Sequence, residues 1–282
     1  MSEIRLKKYQ GLGNDYLVYD AIENGRKLTD RQAELLCRRN FGVGADGICC
    51  GTREADGTFR AAIYNPDGSE AAYSGNGVSI FAKYLWDVGY VHEKKLRLLT
   101  AAGETEVEFV APEEGTMTVT IGKADFMSDK IPVARVGERE WINEPMQFAG
   151  KWYNATCLSV GNPNCVIMTE DVTAANARKL GPYVENADCF PDRMNLQLCH
   201  VTDRKTLKVE TYERGAGYTK SSGTGACAAA ATAYRLGLAD RNVTVEMPGG
   251  SFKVEIQEDG TIRMSGKVEF VGDIVVEEQF FA

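Results

Sequence analysis

Histidine is scarce in this sequence, which has only His92 and His200, and none of its eight cysteines stands in a Cys-x-x-Cys pair. Zinc sites in proteins are built mostly from cysteine and histidine at short, characteristic spacings. We therefore expect no metal site. Because a cysteine without a ligand behaves as a small hydrophobic residue, we expect the eight to be reduced and mostly buried.

Long apolar runs and an excess of basic residues are also missing. No run approaches the roughly 20 residues of a membrane-spanning helix, and the N-terminus, MSEIRLKKYQ, has no hydrophobic signal region. The net charge of −8 and the pI near 5.1 argue against nucleic acids and membranes as partners. We expect a cytoplasmic, soluble enzyme, and 282 residues are enough for two hydrophobic cores.

Short segments typical of strands dominate the chain, and few segments predict helices. LTDRQAELLCRRN, residues 28–40, reads as a helix whose first turn has a capping box formed by Thr29 and Gln32. VSIFAKYLWDVGY, residues 78–90, has the apolar period of a helix. GACAAAATAYRLG, residues 225–237, is rich in alanine, which suits a helix buried on all sides.

Two Gly-x-Gly turns that follow a serine suggest an internal repeat. Ser74 in YSGNGV and Ser222 in SSGTGA lie 148 residues apart. The same shift superimposes other motif residues: Gly13 and Asn14 on Gly161 and Asn162, Gly47 on Asn195, Asn65 on Glu213, and Gly89 on Gly237. One constant offset through several motifs predicts two similar halves related by a pseudo-twofold axis.

Each half is expected to place a helix N-terminus at a cleft between the halves. The first N–H groups of a helix have no partner within the helix, and the helix dipole adds partial positive charge there. Backbone groups at 75–77 and 223–225 could therefore hold one carboxylate, including those of Gly75, Asn76, Gly223 and Thr224. A bound α-carboxylate would put its α-carbon between the side chains of residues 74 and 222, as a reaction with two acid/base groups on opposite faces requires.

Six motifs, in order along nearly the whole chain, resemble those of the diaminopimelate epimerase family: KYQGLGNDY, FGVGADG, NPDGSEAAYSGNG, VGNPNCV, FPDRMNLQ and ERGAGYTKSSGTGACAAA. The resemblance implies an α/β (α+β) fold of two domains, each a barrel-like strand layer around a central helix. The chain's last strand would return to the first domain, so we predict domains at 1–123 with 268–282, and at 124–267.

The resemblance also implies a function. The family interconverts LL- and meso-diaminopimelate in lysine and peptidoglycan biosynthesis, using two cysteines and neither pyridoxal phosphate nor a metal, and its members are usually homodimers. The residues that correspond to its substrate contacts are present here: Asn14, Asn65, Asn162, Asn195, Glu213 and Arg214. Arg214 suits a bidentate contact with a second carboxylate.

The chain departs from the family at the centre of this chemistry. Ser74 and Ser222 stand at the two cysteine positions, Asn164 at a family histidine and Gly47 at a family glutamine. A serine hydroxyl is a weak acid/base group without an adjacent base, and neither histidine falls in a motif. We therefore expect no base beside the catalytic positions Ser74 and Ser222, and weak or no activity.

Three interpretations stay open. The chain could be a family member whose cysteines were exchanged for serine to trap a ligand. It could be a natural serine-bearing branch that racemises or isomerises another amino acid. It could also be a homologue that binds an amino acid without catalysis.

Overall fold

The computed structural model describes residues 3–71, 73–134 and 137–281. The outer ends of the predicted first domain, residues 1 and 282, lie outside this range. The chain forms two compact units, Met1–Val119 with Gly266–Ala282, and Thr120–Ser265. Across the described residues, no helix combines the length and apolar character needed to cross a membrane.

The elements that lie in the first unit, or begin there, are β1 (Glu3–Gly11), β2 (Asn14–Asp20), α1 (Ala21–Asn24), α2 (Asp30–Cys37), β3 (Gly47–Arg53), β4 (Phe59–Tyr64), α3 (Gly75–Asp87), β5 (Lys95–Thr100), β6 (Gly103–Ala111) and β7 (Thr116–Lys123). Those that lie or begin in the second unit are β8 (Glu144–Phe148), β9 (Lys151–Ser159), β10 (Pro163–Met168), α4 (Ala174–Glu185), β11 (Asn195–Asp203), β12 (Thr206–Glu213), β13 (Gly217–Thr219), α5 (Gly223–Arg235), β14 (Asn242–Met247), β15 (Gly250–Ile256) and β16 (Thr261–Glu277).

Strands of the first unit pair in chain order. The β2–β3 and β4–β5 pairs are parallel, whereas β1–β2, β3–β4, β5–β6 and β6–β7 are antiparallel. The end of β16 pairs with β1, and β1–β7 with β16 form a closed eight-stranded barrel.

The second unit repeats this order of pairings. The β10–β11 and β12–β14 pairs are parallel, and β9–β10, β11–β12, β14–β15 and β15–β16 are antiparallel. Tyr16 lies opposite Gly47 in the β2–β3 pair, and Asn164 lies opposite Asn195 in the β10–β11 pair. Because both residues of the second pair lie 148 positions beyond those of the first, the register confirms the predicted repeat.

The central helices α3 and α5 also obey the offset. Their buried segments run over Gly75–Leu85 and Gly223–Ala233, and strands of their own unit surround each. Both helices are followed by a glycine in the left-handed region, Gly89 with φ 76° and Gly237 with φ 74°. Glycine adopts this conformation without steric cost, which ends each helix at the same place.

Two further expectations about local structure can be compared with the structure. Thr29 caps α2 with the predicted capping box. All eight cysteines are free; seven are buried and Cys189 is partly exposed.

Helix α4 was missed, because Gly181 and Pro182 within its sequence favour a loop. The helix forms because Thr173 caps it and its buried side packs on β11 and β12. The ring of Tyr212 occupies the space where a Cβ at position 181 would stand.

Candidate active site

Both predicted catalytic serines are helix N-caps with nearly identical backbone conformations. Ser74 has φ −141° and ψ 115°, and Ser222 has φ −143° and ψ 118°. The hydroxyl oxygens accept from the backbone N–H of Gly77 at 3.1 Å and of Gly225 at 3.2 Å. In this structure the capping serines therefore accept from these two N–H groups, and the predicted role of the groups toward a ligand stays a prediction.

The remaining first-turn positions are Gly75 and Asn76 in α3, and Gly223 and Thr224 in α5. All four residues are buried at the helix N-termini. Their backbone N–H groups precede the first intrahelical hydrogen bond, as in any helix. Their role toward a carboxylate stays a prediction.

Ser74 has a phenol as its neighbour. The hydroxyl of Tyr16 lies 3.1 Å from Ser74 Oγ. A Cβ at position 47 would lie 2.5 Å from Cε1 of Tyr16. Gly47, which the sequence marked as a departure from the family, is thus the residue that leaves room for this ring.

Asn14 and Asn76 form a buried pair beside Ser74. The Asn76 amide donates to Asn14 Oδ1 at 3.0 Å, and the Asn14 amide donates to Asp46 Oδ2 at 3.0 Å. Arg39 bonds the carboxylates of both Asp46 and Asp15. Asn14, predicted as a substrate contact, is therefore held in place by a charged network at the start of β2.

The pKa of Asp15 shows the strength of that network. Burial raises this pKa, but hydrogen bonds from Arg39 and Lys8 and their positive charges lower it, and the lowering prevails. The Lys8 ammonium lies 2.7 Å from the carboxylate. An ionised Asp15 thus links β1 and β2 to the segment before β3.

Ser222 has a carboxylate as its neighbour, which corrects the expectation that no base would be present. Its hydroxyl donates to Glu213 Oε2 at 2.7 Å. Thr219 Oγ1 donates to the other oxygen, Glu213 Oε1, at 2.6 Å. Glu213, predicted as a substrate contact, therefore also stands where it can accept the serine proton.

Amide side chains line the other side of the α5 N-terminus. Asn162 donates to Thr224 Oγ1 at 3.0 Å, which matches the Asn76–Asn14 pair under the 148-residue shift. Asn164 donates to Asn162 Oδ1 at 2.8 Å, and Gln197 donates to Asn164 Oδ1 at 3.2 Å. Asn164, the position where the resemblance implies a histidine, therefore has an amide that orients its neighbour.

Arg214 is positioned by Asn195. The Arg214 backbone N–H donates to Asn195 Oδ1 at 2.8 Å, and the Asn195 amide donates to the Pro163 carbonyl at 2.7 Å. Burial lowers the pKa of Arg214, and the positive charge of Arg193 lowers it further. Arg193 is itself paired with Glu185 at 3.1 Å, and the predicted role of Arg214 toward a second carboxylate stays a prediction.

Asn65 lies in the turn after β4. Its side-chain amide donates to Ser69 Oγ at 3.1 Å, and its backbone carbonyl accepts from the Gly68 N–H at 3.0 Å. The structure thus gives Asn65 a role within its own turn, and its predicted role toward a substrate stays a prediction.

Some residues of these clusters were missed by sequence reasoning. Tyr16 is one, although the repeat contains a signal for it: the shift of 148 pairs Tyr16 with Asn164, already noted as an altered family position. Asp46 and Gln197 lie inside recognised motifs. The buried Cys227, whose pKa is raised by burial, is a core residue, as expected.

The family model described as diaminopimelate epimerase matches residues 6–127 and 156–271. A relative named diaminopimelate epimerase 2, from Nostoc sp., is 42% identical over 282 residues and covers 99% of this chain and 98% of its own. The diaminopimelate epimerase of Leptospira biflexa is 33% identical over 279 residues, which are 97% of this chain and 100% of the relative.

Solved structures are similar in fold at low identity. A hydroxyproline epimerase from Agrobacterium vitis, solved with trans-4-hydroxy-L-proline bound, has a TM-score of 0.74 and 14% identity, covering 99% of this chain and 94% of its own. A PhzF-family phenazine biosynthesis protein from Enterococcus faecalis has a TM-score of 0.68 and 12% identity, covering 98% and 100%. At this identity the likeness establishes the two-domain fold alone.

Proposed function

The chain belongs to the diaminopimelate epimerase family, and from this premise we propose that it is a cofactor-independent isomerase acting at the α-carbon of diaminopimelate or a closely similar amino acid. Ser74 and Ser222 are its acid/base positions. In this proposal the two serines serve one substrate carbon, one on each face, and the reaction interconverts the LL and meso forms for lysine and peptidoglycan synthesis.

The observation that carries the proposal is the pairing of each serine with a group that can exchange a proton. Glu213 lies 2.7 Å from the Ser222 hydroxyl, and Tyr16 lies 3.1 Å from that of Ser74. A serine with such a partner can act as an acid/base group, whereas an isolated hydroxyl cannot. The exchange is nonetheless expected to be slow, since no thiolate is available.

Substrate recognition follows from charge. The N-termini of α3 and α5 suit the α-carboxylate, and Arg214, next to Arg193, suits a second carboxylate at the far end. A guanidinium carries five N–H donors, and one donates to the Asp192 carbonyl at 2.8 Å. The homodimer and the cytoplasmic location implied by the family stay predictions.

Calorimetry with two ligands tests this assignment. Lysine is diaminopimelate with a hydrogen in place of the second carboxylate. The difference in binding free energy between the two ligands therefore reports the contacts of that carboxylate alone. We expect diaminopimelate to bind more tightly than lysine by about 1.5–3 kcal/mol, the range of a hydrogen bond to a charged group. Arg214→Ala is expected to remove most of that difference.

Arg204→Ala is the matched control, because Arg204 makes an exposed ion pair with Asp240 in the same unit. It should leave the preference for diaminopimelate unchanged. Equal binding of the two ligands to the unmodified protein would reject the far-end assignment. Tight diaminopimelate binding without any α-proton exchange would favour the binding homologue, and exchange of a different amino acid would favour the serine-bearing branch.

A further inference from the structure

Tyr16 is built into the Ser74 cluster rather than merely adjacent to it. It is 7% exposed, and its position in β2 is fixed by the parallel register that sets it opposite Gly47. A Cβ at 47 would lie 3.0 Å from Cζ of Tyr16 and 2.8 Å from the Tyr64 carbonyl. The ring therefore fills the space over Gly47 and its hydroxyl reaches Ser74.

The hydrogen bonds around the two serines give them different proton arrangements. A hydroxyl has one donor and two acceptor sites. Ser222 donates to Glu213 and accepts from the Gly225 N–H, so its proton points to the carboxylate and one acceptor site is left for a ligand. This half of the site is arranged to take a proton.

Ser74 has the opposite capacity. It accepts from the Gly77 N–H, and its second neighbour, Tyr16, is a phenol that can donate. With the Tyr16 proton directed at Ser74 Oγ, the Ser74 hydroxyl proton can point to a ligand. This half of the site is arranged to give a proton.

The difference lies in the sequence of the two repeats. The partner of Ser74 comes from position 16, whose counterpart is Asn164, and the partner of Ser222 comes from position 213, whose counterpart is Asn65. Asn164 directs its amide to Asn162, and Asn65 directs its amide to Ser69. The two repeats thus supply their proton-exchanging partners from different positions.

We propose that Tyr16 is the positioning residue that supplies a proton to Ser74, so that the Ser222–Glu213 pair removes the α-proton of the substrate and the Tyr16–Ser74 pair returns one to the opposite face. This inference rests on the proposed function for its substrate, and on the geometry of the first unit alone for the Tyr16–Ser74 bond.

The protons and electrons balance without a redox step. The Cα–H bond breaks, its proton moves to Ser222 Oγ, and the Ser222 hydroxyl proton moves to Glu213. The electron pair left on the α-carbon takes the proton of Ser74, and Tyr16 passes its own proton to Ser74 Oγ. Glu213 then loses a proton to water and Tyr16 regains one from water, which resets the forward reaction. The reverse reaction starts from the opposite protonation state: Ser74 takes the α-proton while its own proton moves to a Tyr16 phenolate, and protonated Glu213 returns a proton to the α-carbon through Ser222.

A phenol suits this task because its ordinary pKa is about 10, far below that of an aliphatic alcohol. Charge that would otherwise develop on the serine oxygen is transferred to the ring. Glycine at position 47 serves this chemistry, because the missing side chain leaves room for the phenol.

The first test needs no activity. Ser74→Cys places a thiol in the Tyr16 contact, and its alkylation by iodoacetamide across a pH series, read by peptide mass spectrometry, gives the pH at which the thiolate forms. Adding Tyr16→Phe removes one O–H donor to the thiolate. We expect the midpoint to rise by roughly one to two pH units, the equivalent of one hydrogen bond to a charged group.

Tyr9→Phe in the same Ser74→Cys background is the control. Tyr9 is a buried tyrosine of the same unit, and its hydroxyl donates to Asp87. The Tyr9→Phe variant should lose this hydrogen bond without moving the midpoint of thiol alkylation. Equal midpoints with and without the Tyr16 hydroxyl would overturn the inference, whatever activity the protein has.

The second test uses the proposed reaction. In the protein with both serines, Tyr16→Phe should lower kcat by about 100-fold, the lower side of general acid–base catalysis, with KM unchanged. In the Tyr16→Phe variant, the fall of kcat at alkaline pH should disappear. If no variant exchanged the α-proton, the proposed function would be contradicted, and the thiol titration would still decide the role of Tyr16. If Tyr16→Phe kept full kcat and an unchanged pH profile, proton supply from Tyr16 to Ser74 would be overturned.

Discussion

At Ser222, one carboxylate decides which way the hydroxyl proton points. Glu213 accepts from Ser222 and from Thr219 on its two oxygens, so its orientation is fixed from two sides. Such second contacts hold a catalytic carboxylate in the geometry needed for proton transfer.

Replacing Glu213 by glutamine tests this role. Glu213→Gln keeps the size of the side chain and removes its basicity, so we expect α-proton exchange to fall by about 100-fold or more. Deuterium incorporation into diaminopimelate, measured by mass spectrometry, gives the rate. Glu210→Gln is the control, because Glu210 lies on the same strand and accepts from the Tyr218 hydroxyl. Comparable losses in both variants would show a structural effect instead.

At the scale of the helix, each serine has a second task as an N-cap. Thr173 caps α4 in the same way, accepting from the Asn176 N–H at 3.3 Å, but it belongs to neither of the two serine clusters. Comparing an alanine substitution at each of these N-caps can therefore separate the effect on helix stability from the effect on proton exchange.

Ser222→Ala and Thr173→Ala should each lower the free energy of unfolding by about 1 kcal/mol, measured by urea unfolding. Only Ser222→Ala should abolish α-proton exchange. If Thr173→Ala also abolished it, the loss at Ser222 could be ascribed to a weakened helix rather than to the hydroxyl.

The start of strand β3 gives another comparison. Gly47→Ala would bring a methyl group against the Tyr16 ring and the Tyr64 carbonyl, and we expect about 1–3 kcal/mol of destabilisation, the usual effect of overpacking. Gly272→Ala, where no atom lies within 4 Å of the added Cβ, should leave the thermal midpoint nearly unchanged. Equal midpoints for the two variants would show that the Tyr16 ring is not packed against position 47.

Helices α3 and α5 show how far the sequence predicts these elements. The serine, the Gly-x-Gly turn and the terminal glycine of each are local signals, so the helices and their 148-residue offset could be read directly. The Tyr16–Ser74 contact could not, because it depends on the parallel register of β2 and β3. The Glu213–Ser222 contact could not either, since it depends on how β12 and β13 turn back toward α5. Helix α4 shows the reverse error, where tertiary packing outweighs a local Gly-Pro signal.

For the whole molecule, the loss of stability at low pH is set by carboxylates whose pKa is lower in the folded protein than in the unfolded chain. Asp15 is one, since its pKa is lowered in the folded protein. A lowered folded pKa means that the unfolded chain binds protons first as the pH falls, so the contribution of Asp15 to stability is present at neutral pH and lost in acid.

Asp15→Asn should therefore cost about 1 kcal/mol at pH 7, given the partial exposure of its partners. The difference from the unmodified protein should shrink as the pH falls below the ordinary aspartate value of about 3.9. Urea unfolding at several pH values measures it. Asp240→Asn, which breaks an exposed pair with Arg204, should have little effect at any pH; a difference for Asp15→Asn that grew in acid would contradict the sign.

For the whole molecule, we propose that Ser74 and Ser222 are the paired acid/base positions of an α-carbon isomerase. The most direct measurement is deuterium incorporation at the α-carbon of diaminopimelate by four proteins: the unmodified chain, Ser74→Cys, Ser222→Cys and the double variant. A two-base mechanism needs both faces, so we predict slow exchange by the unmodified chain, a small gain or none from either single change, and a much larger rate with both thiols. Equal rates in all four proteins, or no gain in the double variant, would contradict the assignment of these two positions.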